Sequence, residues 1–280
     1  MRSLIIITVW LLVSVISIHG GDNRRLLLAA RGSGAATNPP VSGYSIWLHA
    51  DDLSTTWTNI GSASNAPATA DGSLVGYWSD TATTNDFIAN TGGERRGVRS
   101  NTWFNSKPAI IFNGDSQFQN IWPTATAGAV TGITVMVAAS LISSAFAFDM
   151  LVSWDTTGVL ELREDKQTLK MQLSASGGLT TSGDSAALTE GKGYCIGCRY
   201  ANNGSGGVIL NNTHTTNIMT VNLVPIEGIM GLGKRGIDGG QSTLTWNGSI
   251  AEVIVYPYFL SDLQISNVNF YLTNKYAFTP

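Results

Sequence analysis

The chain has 280 residues, a length that suits one large β-domain, and 43% of them are aliphatic or aromatic, enough for a sizeable core. Only 12% are charged and 31 are glycine, which speaks for many short strands joined by tight turns and against long solvated helices. The formal net charge of -3 comes without a long Lys/Arg run, so the basic surface that a nucleic-acid backbone requires is missing. Arg95, Arg96 and Arg99 form the densest basic cluster and read as a solvated loop.

Arg2, the apolar stretch from Leu4 to Ile18 and the small Gly20 predict a secretory signal peptide over residues 1–20. The apolar run is short for a bilayer span, so no stable membrane span is expected once it is removed. An uncleaved anchor, or a natural start lying nearer Asn23, are the alternatives. Residues 21–43, rich in Gly, Ala, Asn and Pro and closed by Pro39-Pro40, read as a flexible arm. The folded domain is expected over 44–280.

From Tyr44 the pattern is β almost throughout. Tyr44 to Ala50, Ala109 to Phe112 and Ile133 to Ala139 read as strands. The clearest hairpin runs from Val159 to Leu173. Leu160, Leu162, Leu169, Met171 and Leu173 share a buried face, Glu161 and Arg163 the wet one, and residues 164–168 form a polar turn. Lys192 to Tyr200 and Gly207 to Leu210 make a second hairpin across a Gly/Asn-rich turn. Cys195 and Cys198 fall in this alternation. Positions three apart on a strand face opposite sides, so the C-x-x-C spacing is read as two unpaired strand cysteines and not as a redox or zinc motif.

Gly248 to Tyr256 is apolar apart from Glu252 and predicts a central strand, with Glu252 held by a structural partner. The period then changes. Ser261 and Gln264 form a capping box, Leu260 and Ile265 a hydrophobic staple, and Ile265, Val268, Leu272 and Tyr276 follow at helical spacing. One amphipathic helix therefore closes the chain.

Several segments carry a resemblance. Ser45-Ile46-Trp47-Leu48-His49-Ala50-Asp51-Asp52 is similar to an "LWLDASD" opening, with His49 where Asp is usual. Tyr77-Trp78-Ser79-Asp80 is similar to a "W-x-D" segment, and Lys107 to Gly114 to "GKPxVxFxG". The run from Asn247 to Tyr256, with Leu260-Ser261-Asp262 and Tyr271 to Tyr276, resembles "GxIAEVIVYxxxLSDxxxxxxxxYLxxKY". These are segments of laminin-G-like, concanavalin A-like jelly-roll domains. The resemblance implies an all-β, two-sheet antiparallel jelly-roll sandwich with one C-terminal helix. It also implies a role in carbohydrate or cell-surface recognition, in a secreted, surface or virion protein. It further implies a structural calcium at Asp51, Asp52, Asp80, Asn113 and Asp115, which lie in the matching loops.

For catalysis the residues offer little. The Glu-x-Asp-x-x-Glu motif of the laminarinase branch is missing. Glu161 and Glu164 are three apart on a strand and should face opposite ways, and Glu161 with Asp165 would span roughly 13 Å. Glu161 reads as an ion pair with Arg163 or Lys170, and neither His49 nor His214 sits in a nucleophile-elbow pattern. The chain is accordingly expected not to be an enzyme. Sugar binding would use aromatic platforms with polar neighbours. Trp57, Trp78, Trp103, Trp122, Trp154 and Trp246 are candidates. Trp103 and Trp122, in polar surroundings, are preferred, with Tyr258 in support. Asn203, Asn211 and Asn247 begin glycosylation sequons. The expected function is non-catalytic recognition of a carbohydrate or cell-surface glycan. The alternatives are a structural or adhesive component of a virion, fibre or cell surface, in which a homo-oligomer would be natural, and a diverged glycoside hydrolase.

Overall fold

The computed structural model describes residues 38–58, 66–89, 96–114, 116, 118–122, 132–143, 149–155, 158–175, 178–182, 184–201, 204–218, 228–233 and 245–278. The expected leader and most of the expected arm lie outside them. In chain order the described strands are β1 (Ile46–His49), β2 (Thr56–Trp57), β3 (Leu74–Val75), β4 (Tyr77–Trp78), β5 (Phe87–Ala89), β6 (Gly97–Phe104), β7 (Lys107–Asn113), β8 (Phe118–Trp122) and β9 (Gly132–Leu141). There follow β10 (Asp149–Asp155), β11 (Gly158–Asp165), β12 (Thr168–Ala175), β13 (Gly178–Thr181), β14 (Gly193–Ala201), β15 (Ser205–Leu210), β16 (Thr213–Ile218), β17 (Gly228–Leu232), β18 (Asn247–Tyr256) and the helix α1 (Asp262–Tyr276).

The strands form two antiparallel sheets that make an all-β sandwich. The first has the order β16-β15-β14-β9-β18-β7-β6-β3, with β1 also paired to β18, and the second β13-β12-β11-β10-β17-β8-β5-β4-β2. The main core lies between the sheets. Leu48, Ile110, Val135, Ile196 and Val253 come from the first sheet, and Trp78, Phe118, Trp154, Leu162 and Met171 from the second. A second apolar cluster covers the other face of the first sheet, where Trp47, Met136, Ile254 and Tyr256 meet Ile265, Val268, Leu272 and Tyr276 of α1. The two cysteines split between these layers as strand alternation requires, with Cys198 in the main core and Cys195 under the helix, both free. Burial pushes the Cys198 thiol up to about 12, so it stays protonated.

Local chemistry sets the ends of the elements. Ser261 caps α1: its Oγ accepts the Gln264 N–H at 3.3 Å, and the Gln264 Oε1 accepts the Ser261 N–H at 2.9 Å. The helix closes on Ala277 in the left-handed region, with the Phe278 N–H donating to the Thr273 carbonyl at 3.1 Å. The β11–β12 turn is tighter than the polar stretch predicts. Both strands continue to Asp165 and Thr168, and Lys166 (φ 51°) and Gln167 (φ 71°) turn the chain, the left-handed pair that matches strand twist. The start of the fold also differs from expectation. Val41 is buried in the second cluster, and its carbonyl accepts the Tyr256 hydroxyl at 3.2 Å, so the sandwich reaches back into the predicted arm.

A β-bulge shifts the register of β18 between Ile250 and Glu252 and leaves Ala251 as the extra residue. Ile250 before it and Val253 after it both enter the main core, while Ala251 lies in the cluster under α1 and Glu252 meets side chains of α1. Without that extra residue, strict alternation would send Glu252 between the sheets. No helix among the described residues is long and apolar enough to cross a membrane.

Candidate functional site

Of the three residues expected to bind sugar, two pack against the cluster beneath α1 and the third lies on a strand of the other sheet. Trp103 sits on β6 and packs against the cluster beneath α1, with its indole N–H donated to Ser140 Oγ at 3.1 Å. Tyr258 packs against the same cluster and gives its hydroxyl to the Ser42 carbonyl at 2.5 Å, pinning the start of the fold. Trp122 ends β8 in the other sheet, opposite Gly228, and its side chain lies outside the described residues. Of the remaining tryptophans, Trp78, Trp154 and Trp246 are core.

The predicted calcium loops have partners of their own. Asp80 accepts the backbone N–H of Trp47 (2.8 Å), Ala82 (2.9 Å) and Thr83 (3.1 Å) and the Thr83 hydroxyl (2.7 Å), and so fixes the turn after β4. Asp52 Oδ1 accepts the Ser54 N–H at 2.8 Å and its hydroxyl at 2.6 Å. Asp51 lies 3.0 Å from His49 Nδ1 and 3.2 Å from Lys275 Nζ. Burial would raise its pKa, but these partners outweigh it and hold the carboxyl below the ordinary range. Asn113 Oδ1 accepts the Ser116 N–H and hydroxyl at 3.2 and 3.0 Å. Asp115 lies outside the described residues. No three His, Cys, Asp or Glu side chains among the described residues group as metal ligands.

Glu252 has the structural partners its sequence context demands. It is fully buried, and its two oxygens accept four donors: Trp47 Nε1 (2.7 Å), Tyr271 hydroxyl (2.9 Å), Lys275 Nζ (2.8 Å) and Tyr276 hydroxyl (3.0 Å). The network ties β18, β1 and α1 together.

An opening of different character appears on the outer face of the second sheet. The register aligns one residue from every strand in a row. Trp57 of β2 lies opposite Tyr77 of β4, then Ile88 of β5 and Gln119 of β8. Gly231, Ser153, Glu161, Gln172 and Thr181 continue it to β13. At about 4.8 Å per strand this row extends roughly 38 Å. Its polar middle is closed, since Ser153, Glu161 and Gln172 are buried, the latter two at 1% and 7% exposure. Its aromatic end is open. Trp57, Tyr77 and Ile88 are each half-buried, while their strand neighbours Thr56, Trp78 and Phe87 point inward and are buried. The Tyr77 hydroxyl donates to Asp86 Oδ2, while Asp86 Oδ1 accepts the Asp80 N–H at 2.9 Å. Burial, with Asp86 beside it, pushes the Tyr77 phenol up to about 12, so it remains a hydrogen-bond donor. The Trp57 indole N–H is itself buried and has no hydrogen-bond partner, so the ring offers its face and not its N–H to solvent. Two adjacent rings and a carboxylate make a surface that can stack on a flat apolar face and hydrogen-bond the groups at its rim. Trp57 is one of six candidate tryptophans in the sequence but not one of the two preferred there, and Tyr77 enters only through the segment Tyr77–Asp80 and not as a binding residue. Their pairing depends on register, and the only sequence signal for it was the inward Trp78 next to Tyr77.

The hairpin acids divide as expected, with two corrections. Glu161 faces out and pairs with Arg163 at 3.3 Å, yet it is buried and not solvated; Lys170 instead contacts Asp165 at 2.8 Å. Glu164 is a strand residue and not part of the turn. It shares the inward face of Leu160 and Leu162, where its partner across the strands is Asp149. The basic cluster also departs from its reading as a solvated loop. Arg99 is 1% exposed and donates to Asn101 Oδ1 at 2.7 Å and Thr56 Oγ1 at 2.8 Å.

No protein-family model matches the sequence, and no curated protein does. Solved structures do resemble it in fold. A Trypanosoma rangeli sialidase in complex with the inhibitor DANA matches over 87% of this chain and 35% of its own, at 15% identity and a TM-score of 0.55. Domain 4 of AbnA, a GH43 extracellular arabinanase from Geobacillus stearothermophilus, in complex with arabinotriose, matches over 71% of this chain and 100% of its own, at 13% identity and a TM-score of 0.55. The HCR/D W1238A mutant matches over 81% and 52%, at 10% identity and a TM-score of 0.56. The chain thus spans about a third of the sialidase's length. The expectation that the chain is not an enzyme is overturned by the sialidase likenesses, one of them a complex with sialic acid. It rested on a missing carboxylate pair, and sialidases, whose nucleophile is a tyrosine, are an exception to that two-carboxylate rule. At these identities the likeness establishes the fold, an all-β sandwich.

Proposed function

We propose that this chain is a concanavalin A-like, laminin-G-like sandwich that associates with carbohydrate, in a secreted or surface setting, through the aromatic end of its second sheet. The observation that carries this reading is the half-buried Trp57–Tyr77 pair on the outer face, beside the Asp86 carboxylate. A sugar ring offers what such a site needs: a C–H face for the indole and hydroxyls for the carboxylate. The fold likeness to an arabinanase domain bound to arabinotriose and to sialidases supports the ligand class without naming the sugar.

A glycan array probed with the purified chain, followed by an assay for sugar release from each glycan that binds, tests the proposal. Binding to a defined set of glycans that weakens in Trp57→Ala and Tyr77→Ala is the expected result. Release of sugar would add a catalytic step at the same ligand class. A folded sample that binds no glycan would overturn the proposal.

A further inference from the structure

The main core contains two carboxylates that no described residue neutralises. In β10 the register shifts between Met150 and Val152, so that Leu151 is an extra residue. Val152 and Trp154 face the core, and without the bulge Asp149 would face outward. With it, Asp149 is the direct partner of Glu164 on β11, which shares the inward face of Leu160 and Leu162. Both residues have 0% exposure. Both oxygens of Asp149 and Oε2 of Glu164 have no hydrogen-bond partner in the protein, and Glu164 Oε1 accepts only the Gln167 backbone N–H.

Buried carboxylates need compensation, and elsewhere this chain supplies it. Glu252, equally buried, receives four donors including an ammonium. Two neighbouring basic side chains are engaged elsewhere: Lys170 contacts Asp165 at 2.8 Å and Asp184 at 3.5 Å, and Arg163 contacts Glu161 at 3.3 Å. A bulge that turns an aspartate inward to face a glutamate, with no counter-charge supplied among the described residues, is an arrangement that a bound cation would stabilise.

We propose that Asp149 and Glu164 are the protein ligands of a calcium-class divalent cation held between the sheets at the β11–β12 end of the sandwich. The donors are all oxygen, which selects a hard ion over zinc or copper. Two carboxylates fall short of the three or four side chains of a zinc site, whereas calcium completes its shell with backbone carbonyls and water. Magnesium, which keeps several of its waters, suits a fully buried pair less well. This site is separate from the loop acids Asp51, Asp52 and Asp80, whose oxygens accept protein donors, and it does not depend on the carbohydrate reading.

The test is thermal unfolding and direct calcium binding by the full chain, in chelator and in millimolar calcium. Wild type and Asp149→Asn/Glu164→Gln are compared, and the single Asp149→Asn variant serves if the double variant does not fold. The wild type is expected to bind one calcium at this site and to melt higher in calcium than in chelator. The amide variant, which keeps shape and loses charge, is expected to lose both the binding and the calcium-dependent shift. An unchanged melting temperature and no binding in the wild type would overturn the proposal and leave a pair that shares a proton. A calcium shift that persists in a folded amide variant would overturn it as well, by assigning the ion to other residues.

Discussion

The four donors on Glu252 and the missing donors on Asp149 give the two buried acids opposite physical consequences. Replacing Glu252 by Gln would leave the Lys275 ammonium, 6% exposed, with Asp51 as its carboxylate partner and the Tyr271 hydroxyl as a neutral acceptor. Loss of one member of a buried pair costs about 3 kcal/mol, so Glu252→Gln should lower the denaturation midpoint in urea with little change in slope. For Asp149 and Glu164 the effect is on pH. Burial pushes Asp149 up to about 7, and burial with the neighbouring Asp149, Asp165 and Glu190 pushes Glu164 up to about 8, against unfolded values near 4. A raised folded pKa favours the protonated native form, so this contribution to stability is complete below about pH 4 and is lost as pH rises towards 8. In chelator, therefore, the wild type should lose melting temperature across that window relative to the Asp149→Asn/Glu164→Gln variant. A constant difference between the two would show that the pair does not titrate there.

Among the elements, α1 was the most legible. Its capping box, staple and apolar spacing are local, and each appears in the structure where the residues place it. Ser261→Ala should cost about 1 kcal/mol, read from thermal unfolding, with the rest of the sandwich unaffected in its contacts. The strands were legible as a class and less so in detail. Alternation placed Cys195 and Cys198 on opposite faces, and Leu160 with Leu162 inward. It could not reveal the bulges at Ala251 and Leu151, because a bulge is an extra residue defined by the partner strand. Those two bulges decide where Glu252 and Asp149 point. The β11–β12 turn was read too long for a related reason: Glu164 and Asp165 are polar residues in strand positions, fixed by pairing to Leu169 and Thr168.

At the scale of the whole molecule, the β class follows from composition and strand alternation, and the two-sheet sandwich from the resemblance carried by the segments around Trp47, Ile110 and Glu252. The candidate site did not. Trp103 and Trp122 were preferred because their sequence neighbours are polar, yet Trp103 belongs to the layer under α1. Trp57 and Tyr77 become neighbours only when β2 pairs with β4, 20 residues apart in sequence, and the outer face is defined only once the core is known. Function is correspondingly harder to read than fold, since sites are built on folds by a few side chains.

The most direct test is a binding titration of the strongest array glycan against wild type, Trp57→Ala, Tyr77→Ala and Trp103→Ala. Loss of a stacking ring is worth roughly 1 kcal/mol, or about fivefold to tenfold in affinity. Weakening of that order in Trp57→Ala and Tyr77→Ala, with Trp103→Ala close to wild type, is the predicted result. Equal affinity in Trp57→Ala and Tyr77→Ala, or weakening confined to Trp103→Ala, would contradict a carbohydrate site on the outer face of the second sheet.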